Sequence, residues 1–154
     1  DYCVQFFAKY YPHVSSESDK RLLRTELFAA TRERHNRIAG GAGYMLAHMT
    51  QHPEFRQEQI QAAVFEALSD PECSAVSKVS LLQAGAELGD KRILPIARTL
   101  AADGRNIALR MSAIGAIGLL GDSSDIEMLQ KLSQSGDHRI QRPALAALSK
   151  IRQR

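Results

Sequence analysis

Residues 74–104 align without a gap on residues 106–136, a shift of 32 residues, and this repetition constrains the fold more than any other feature of the chain. Leu88-Gly89-Asp90 falls on Leu120-Gly121-Asp122, Lys78 on Arg110, Ser80 on Ser112, Ala84 on Ala116, Leu100 on Leu132 and Gly104 on Gly136. Each copy reads as an apolar helix, a Gly-Asp corner and a second, amphipathic helix. A unit of one short hairpin cannot bury its apolar side alone and must stack on a neighbour. The predicted fold is therefore all-α: an α/α superhelix, a solenoid of stacked antiparallel helical hairpins forming one continuous domain.

Helices are expected near 74–88, 90–102, 105–120 and 122–134. At each corner Gly can adopt the left-handed conformation that ends one helix, while Asp can cap the first amides of the next. Leu94, Ala97 and Leu100 in one copy match Ile126, Leu129 and Leu132 in the other as core stripes. A half repeat, 137–154, adds a first helix from Asp137 to Ile151 with a slip of one residue, made polar at its end by Lys150, Arg152 and Arg154. It is expected to be a cap, a continuing chain being the alternative.

Residues 36–70 form a divergent hairpin. The glycines of Arg37-Ile38-Ala39-Gly40-Gly41-Ala42-Gly43-Tyr44 do not make a phosphate loop, since no Gly-Lys-Ser or Gly-Lys-Thr, no dinucleotide spacing and no preceding strand accompany them. Ala39, Gly43 and Ala47 instead mark a thin seam that admits a close helical neighbour. His48 and His52 have a metal-compatible spacing, but no Glu follows His48, no Cys lies near, and Pro53 ends the helix. The partner helix, Glu54 to Leu68, is expected to bury Phe55, Ile60, Ala63, Val64, Ala67 and Leu68 and to leave Arg56, Gln57, Glu58 and Gln61 in water.

The N-terminal helical cap, 1–35, carries Tyr2, Phe6, Phe7, Tyr10 and Tyr11, five of the chain's nine aromatic residues. Val4, Phe7, Ala8 and Tyr11 share one helical face, whereas Tyr2, Phe6 and Tyr10 share another and are candidate aromatic contacts with a partner. After Pro12, Ser16 and Asp19 approximate a capping box for a helix from Ser18 to Arg34 with core residues Leu22, Leu23, Leu27 and Ala30. Its cations alternate with Glu17, Asp19, Glu26 and Glu33, as a solvated face does.

With 44% hydrophobic and 24% charged residues the chain is too apolar for disorder, and no run approaches a membrane span. A net charge of +3 is mild for a nucleic-acid binder, so no nucleic acid is favoured as a partner. Cys3 and Cys73 fit two reduced thiols or one disulfide. The missing initiator Met, the aromatic N-terminus and Cys3 lean toward an exported or membrane-tethered bacterial protein, a cytoplasmic fragment being the alternative.

Leu109-Arg110-Met111-Ser112-Ala113-Ile114-Gly115-Ala116-Ile117-Gly118-Leu119-Leu120-Gly121-Asp122 resembles the HEAT-like repeat of the phycobilisome-lyase type, with its Val-Arg start, paired small apolar residues and Leu-Gly-Asp end. Ile93-Leu94-Pro95-Ile96-Ala97 resembles the apolar-Pro step of its second helix. The resemblance covers 74–151 and implies a solenoid. Related enzymes hold two irons through His-Glu pairs; this chain has five His residues and no such pair, so neither cofactor nor metal is expected.

The expected function is a non-catalytic protein-protein interaction scaffold or adaptor whose partner is another protein, with self-association through either terminus as a further expectation. Solenoids present their second helices as a row. Here that row comprises Arg56, Gln57, Arg98, Thr99, Gln130, Lys131 and Gln134, the candidate interaction surface. The alternatives are a nucleic-acid-binding helical repeat and a non-catalytic subunit of a lyase-like enzyme.

Overall fold

A computed structural model describes residues 6–7, 9–34, 36–103 and 105–154. Tyr2, Cys3, Val4, Ala8 and Gly104, which figure in the expectations above, lie outside the described residues. Among the described residues there are eight α-helices and no strand: α1 (Glu17–Ala30), α2 (Ile38–His48), α3 (Gln57–Ser69), α4 (Ala75–Glu87), α5 (Leu94–Ala102), α6 (Ile107–Leu120), α7 (Ile126–Ser133) and α8 (His138–Arg152). None is long and apolar enough to cross a membrane.

Local side-chain chemistry sets where most of these helices begin. Ser16, Ser74 and Asn106 accept hydrogen bonds from the amides of Asp19, Ser77 and Leu109, and so cap α1, α4 and α6; Asp137 accepts from Arg139 to open α8. Each satisfies an amide that the first helical turn leaves unpaired. Asp90 and Asp122 cap in the same way, accepting from the amides of Arg92 and Ser124. Here each opens a 3-10 turn, Lys91–Ile93 and Ser123–Asp125, and α5 and α7 begin at Leu94 and Ile126 rather than at the Asp residues. Successive turns from Met49 to Phe55, closed by His52 N–H to Met49 O and Phe55 N–H to His52 O, likewise delay α3 to Gln57. The first helix stops at Ala30, short of the expected Arg34.

The two corners differ from each other. Gly89 has φ +69°, the left-handed conformation expected of it. Gly121 has φ −69° and ψ 174°, extended backbone open to any residue, so its expected left-handed geometry is corrected. Space is what requires glycine there: a Cβ would collide with Asp125 Oδ2 and the Ile117 carbonyl oxygen.

Packing follows an alternating order. α4 lies against α2 and α6, and α6 against α4 and α8, making one row of four helices. α5 packs on α6, α7 on α8, and α3 on both α2 and α4; α1 covers α2. A continuous core runs from Tyr11 to Ile151 and includes Ile60, Val64, Leu81, Ile93, Ala97, Ile114, Ile117 and Leu129. Leu22, expected in the stripe of α1, is instead 59% exposed, while Leu27 is buried and Leu23 and Phe28 pack against the core. Ala63 is half-buried.

Small residues let the row close. A Cβ on Gly40 of α2 would stand 2.7 Å from Ser77 Cα of α4, and one on Gly118 of α6 would stand 2.9 Å from Ala147 Cα of α8. The seam thus runs through Ala39, Gly40 and Gly43, all buried, and α2 continues unbroken through Gly40-Gly41. Hydrogen bonds also cross the row: Ser77 Oγ donates to Asn36 O at 2.6 Å and accepts from Gly40 N–H at 3.1 Å, while Ser112 Oγ of α6 donates to Val79 O of α4 at 2.9 Å.

Two glycines of α6 separate packing from propensity. Gly118 faces Ala147, whereas Gly115 is exposed with nothing near its missing Cβ. Gly118→Ala should destabilise the fold by about 1–3 kcal/mol through overpacking, and Gly115→Ala should stabilise it by about 0.5–1 kcal/mol through helix propensity. Urea denaturation measures both, and equal effects would reject the close α6–α8 contact.

Candidate interaction surface

The proposed row on the second helices divides into residues that hold the fold and residues that face water. Gln57, exposed at the start of α3, donates from Nε2 to Leu88 O at 3.2 Å, and Gln61 donates to the same oxygen at 2.9 Å. Leu88 is the C-cap of α4, so both amides serve a carbonyl that the helix end leaves without a partner. Gln61, expected in water, is half-buried for this reason.

Arg98 is fixed more firmly. Its Nε and Nη2 donate to Asp125 Oδ1 and Oδ2 at 2.7 and 3.0 Å, a bidentate pair that raises the Arg98 pKa above its ordinary value. Asp125 is 2% exposed and also accepts from the Asp122 N–H at 3.1 Å. In the 32-residue register Asp125 occupies the place of Ile93, a core residue. The facing position changes with it, from Gly85, packed under Ile93, to Ile117. A buried carboxylate without a partner would be costly, and Arg98, from the preceding unit, supplies that partner.

Arg56, Thr99, Gln130, Lys131 and Gln134 are exposed. The Thr99 hydroxyl donates to Pro95 O within its own helix, and Lys131 pairs with Glu127 at 2.8 Å, one turn away. This pair lowers the Glu127 pKa and raises that of Lys131. Beside it lies an open groove of about 430 Å³ lined by Ala102, Arg110, Ser124, Glu127, Met128, Lys131 and Leu132. It joins the end of α5, the first turns of α6 and the face of α7. Of the residues expected at the surface, Lys131 alone lines it; Arg56 and Gln57 stand at the start of α3.

Sequence reading did not place Arg110, Ser124, Glu127 or Met128 in this groove. Arg110 had a signal, its alignment with Lys78, but its Nε donates to Ala101 O at 2.8 Å, an α5 to α6 tie that spacing does not reveal. Nearby loops carry self-contained charge clamps. Asp103 pairs with Arg105 and Asp137 with Arg139, and these hydrogen bonds hold each carboxyl at a pKa of about 2.

Other candidate groups settle into structural positions. His48 Nδ1 lies 3.0 Å from Tyr44 O, and His52 sits in an aromatic cluster with Tyr11 and Phe55, ring centroids 5.8 and 6.4 Å away. Among the described residues no group of three or more His, Cys, Asp or Glu side chains stands together as metal ligands. Cys73 is buried, and burial pushes its thiol pKa up. Phe6 and Tyr10 are exposed with centroids 5.7 Å apart, while Tyr11 is buried and stacks on Phe7 at 5.4 Å.

Comparison with protein-family models, with curated proteins and with solved structures gives no match to this chain.

The division into structural and solvated cations is measurable. Arg98→Ala leaves Asp125 buried without its partner and should cost about 2 kcal/mol, below the value for a fully enclosed pair because Arg98 is partly exposed. Lys131→Ala breaks a pair in open water and should leave stability nearly unchanged. Chemical denaturation of the two variants checks this, and similar losses would contradict it.

Proposed function

We propose that the chain is a HEAT-like α/α solenoid that works as a non-catalytic protein-binding scaffold. The observation that carries this reading is the groove beside α7. It is open, of mixed polarity, flanked by exposed polar side chains of α7, and built on helices whose own contacts fix its shape. Met128 and Leu132 offer apolar area beside the Lys131–Glu127 pair, a combination suited to a peptide or helix from a partner protein. The 32-residue register and the alternating packing of α2 to α8 support the solenoid part of the proposal.

A nucleic-acid role would need Arg56, Arg92, Arg98 and Lys131 to offer charge on one face. Arg92 is paired with Asp90, Arg98 with Asp125 and Lys131 with Glu127, so three of these four cations are already matched. The protein reading is favoured on that ground.

Co-purification from a lysate of the source cells tests the surface. Thr99, Gln130, Lys131 and Gln134 changed together to Glu alter exposed positions without touching the Arg98 or Gln57 contacts. Recovery of the specific partner should fall about tenfold or more, while the melting temperature stays near that of the wild type. Undiminished recovery would reject Lys131 and the exposed positions flanking the groove as the binding surface.

A further inference from the structure

The groove beside α7 holds one charge that its own walls do not match. Arg110 is half-buried there, and its Nε donates to Ala101 O at 2.8 Å, which fixes the plane of the guanidinium. Among the described residues the remaining edge, Nη1 and Nη2, makes no hydrogen bond, and Arg110 joins no ion pair. Such an edge presents two parallel N–H groups, the geometry that meets a carboxylate. Lys131, the other cation of the groove, is already paired with Glu127. Asp103, which follows Ala102, is bonded through both oxygens to Arg105.

The preceding unit carries a carboxylate where this one has none. At the shift of 32 residues Arg110 falls on Lys78 and Ala102 on Asp70. Asp70 pairs with Arg34 at 2.8 Å, and Asp70 and Lys78 both stand close enough to Cys73 for their charges to act on its thiol. In the later unit the exposed methyl group of Ala102 replaces that carboxylate at the rim of the groove. The lining beside it is apolar, with Met128 half-buried and Leu132 buried. All three walls, α5, α6 and α7, are internal elements of the chain, so the opening is a gap between consecutive units.

We infer that this groove binds a short acidic segment of a partner protein, with an Asp or Glu carboxylate on the Nη1 and Nη2 edge of Arg110 and a neighbouring aliphatic side chain on Met128 and Leu132. The inference rests on the protein-binding reading of the same groove and names the chemistry of the partner. The carboxylate matches a half-buried guanidinium that the fold already orients, so the charge selects the partner and the apolar contact adds area. A phosphate would satisfy Arg110 but leave Met128 and Leu132 in water. A second copy of this chain does not supply the segment: among the described residues none of its exposed large apolar side chains, from Phe6 to Leu145, has an Asp or Glu within two positions.

Selection of random linear peptides displayed on phage against the immobilised full chain provides the probes. Enriched sequences should carry Asp or Glu next to, or one residue away from, Leu, Ile, Met or Phe. By fluorescence anisotropy at ~50 mM salt the tightest peptide should bind at least about tenfold more tightly than its own copy with that acid changed to the amide. Arg110→Gln should bring the two affinities together. Ala102→Asp restores in cis the carboxylate of the earlier unit at an exposed position, and it should abolish the preference while the melting temperature stays near that of the wild type. Should Arg110→Gln unfold, Ala102→Asp alone decides. Peptides that bind without an acid, but lose affinity on Met128→Ser, would overturn the inference and leave the protein-binding reading standing. A library from which nothing is enriched, or a preference for the acid that survives Ala102→Asp, would also overturn it. So would a duplex DNA whose binding Ala102→Asp abolishes while no peptide binds, which would identify a phosphate-binding surface.

Discussion

The close approach of α2, α4, α6 and α8 is the contact on which the rest of the structure depends. It exists because Gly40 meets the Ser77 backbone and Gly118 meets Ala147 without intervening side chains. Glycine within a helix costs about 1 kcal/mol relative to alanine, and dense burial of Leu81, Leu82, Ile114 and Ile117 along the row offsets that cost. Apolar packing alone tolerates sliding. The bonds from Ser77 to Asn36 and from Ser112 to Val79 do not, since each places a buried or half-buried hydroxyl opposite one carbonyl.

The two Gly-Asp corners between the row and its flanking helices differ in side-chain chemistry as well as in backbone geometry. Under the first corner Ile93 fills the space left by Gly85. Under the second, Ile117 occupies the Gly85 position and Asp125 the Ile93 position, so a carboxylate enters the core where an aliphatic side chain stood. Its two oxygens are met by Arg98 and by the Asp122 amide, which converts a buried charge into a link between consecutive units. Arg98 thereby belongs to the framework, and the exposed polar groups that remain for recognition are fewer than a row of second-helix side chains implies.

Much of the helix order was legible because Ser, Asn and Asp caps and the 32-residue shift are properties of the chain itself. The all-helical class, the apolar stripe at Leu94, Ala97 and Leu129, and the left-handed Gly89 followed from them. Three features were not legible, each for a physical reason. Gly121 resembles Gly89 in sequence, yet it is glycine to spare Asp125 and the Ile117 carbonyl, a constraint set by neighbours distant in the pattern. Leu22 fits the stripe of α1 yet is 59% exposed, since Leu23, Leu27 and Phe28 supply the packed side of that helix. The pairing of Arg98 with Asp125, 27 residues apart, erases a candidate recognition charge that periodicity alone leaves in water.

The groove beside α7 depends on helices held chiefly by their immediate neighbours. Native-state amide hydrogen exchange tests that dependence directly, residue by residue. Stability carried by nearest-neighbour contacts predicts the strongest protection in α4 and α6, which have row neighbours on both sides, with protection falling toward α1 and α8. Uniform protection from α1 to α8, or an α8 that exchanges more slowly than α4, would contradict it.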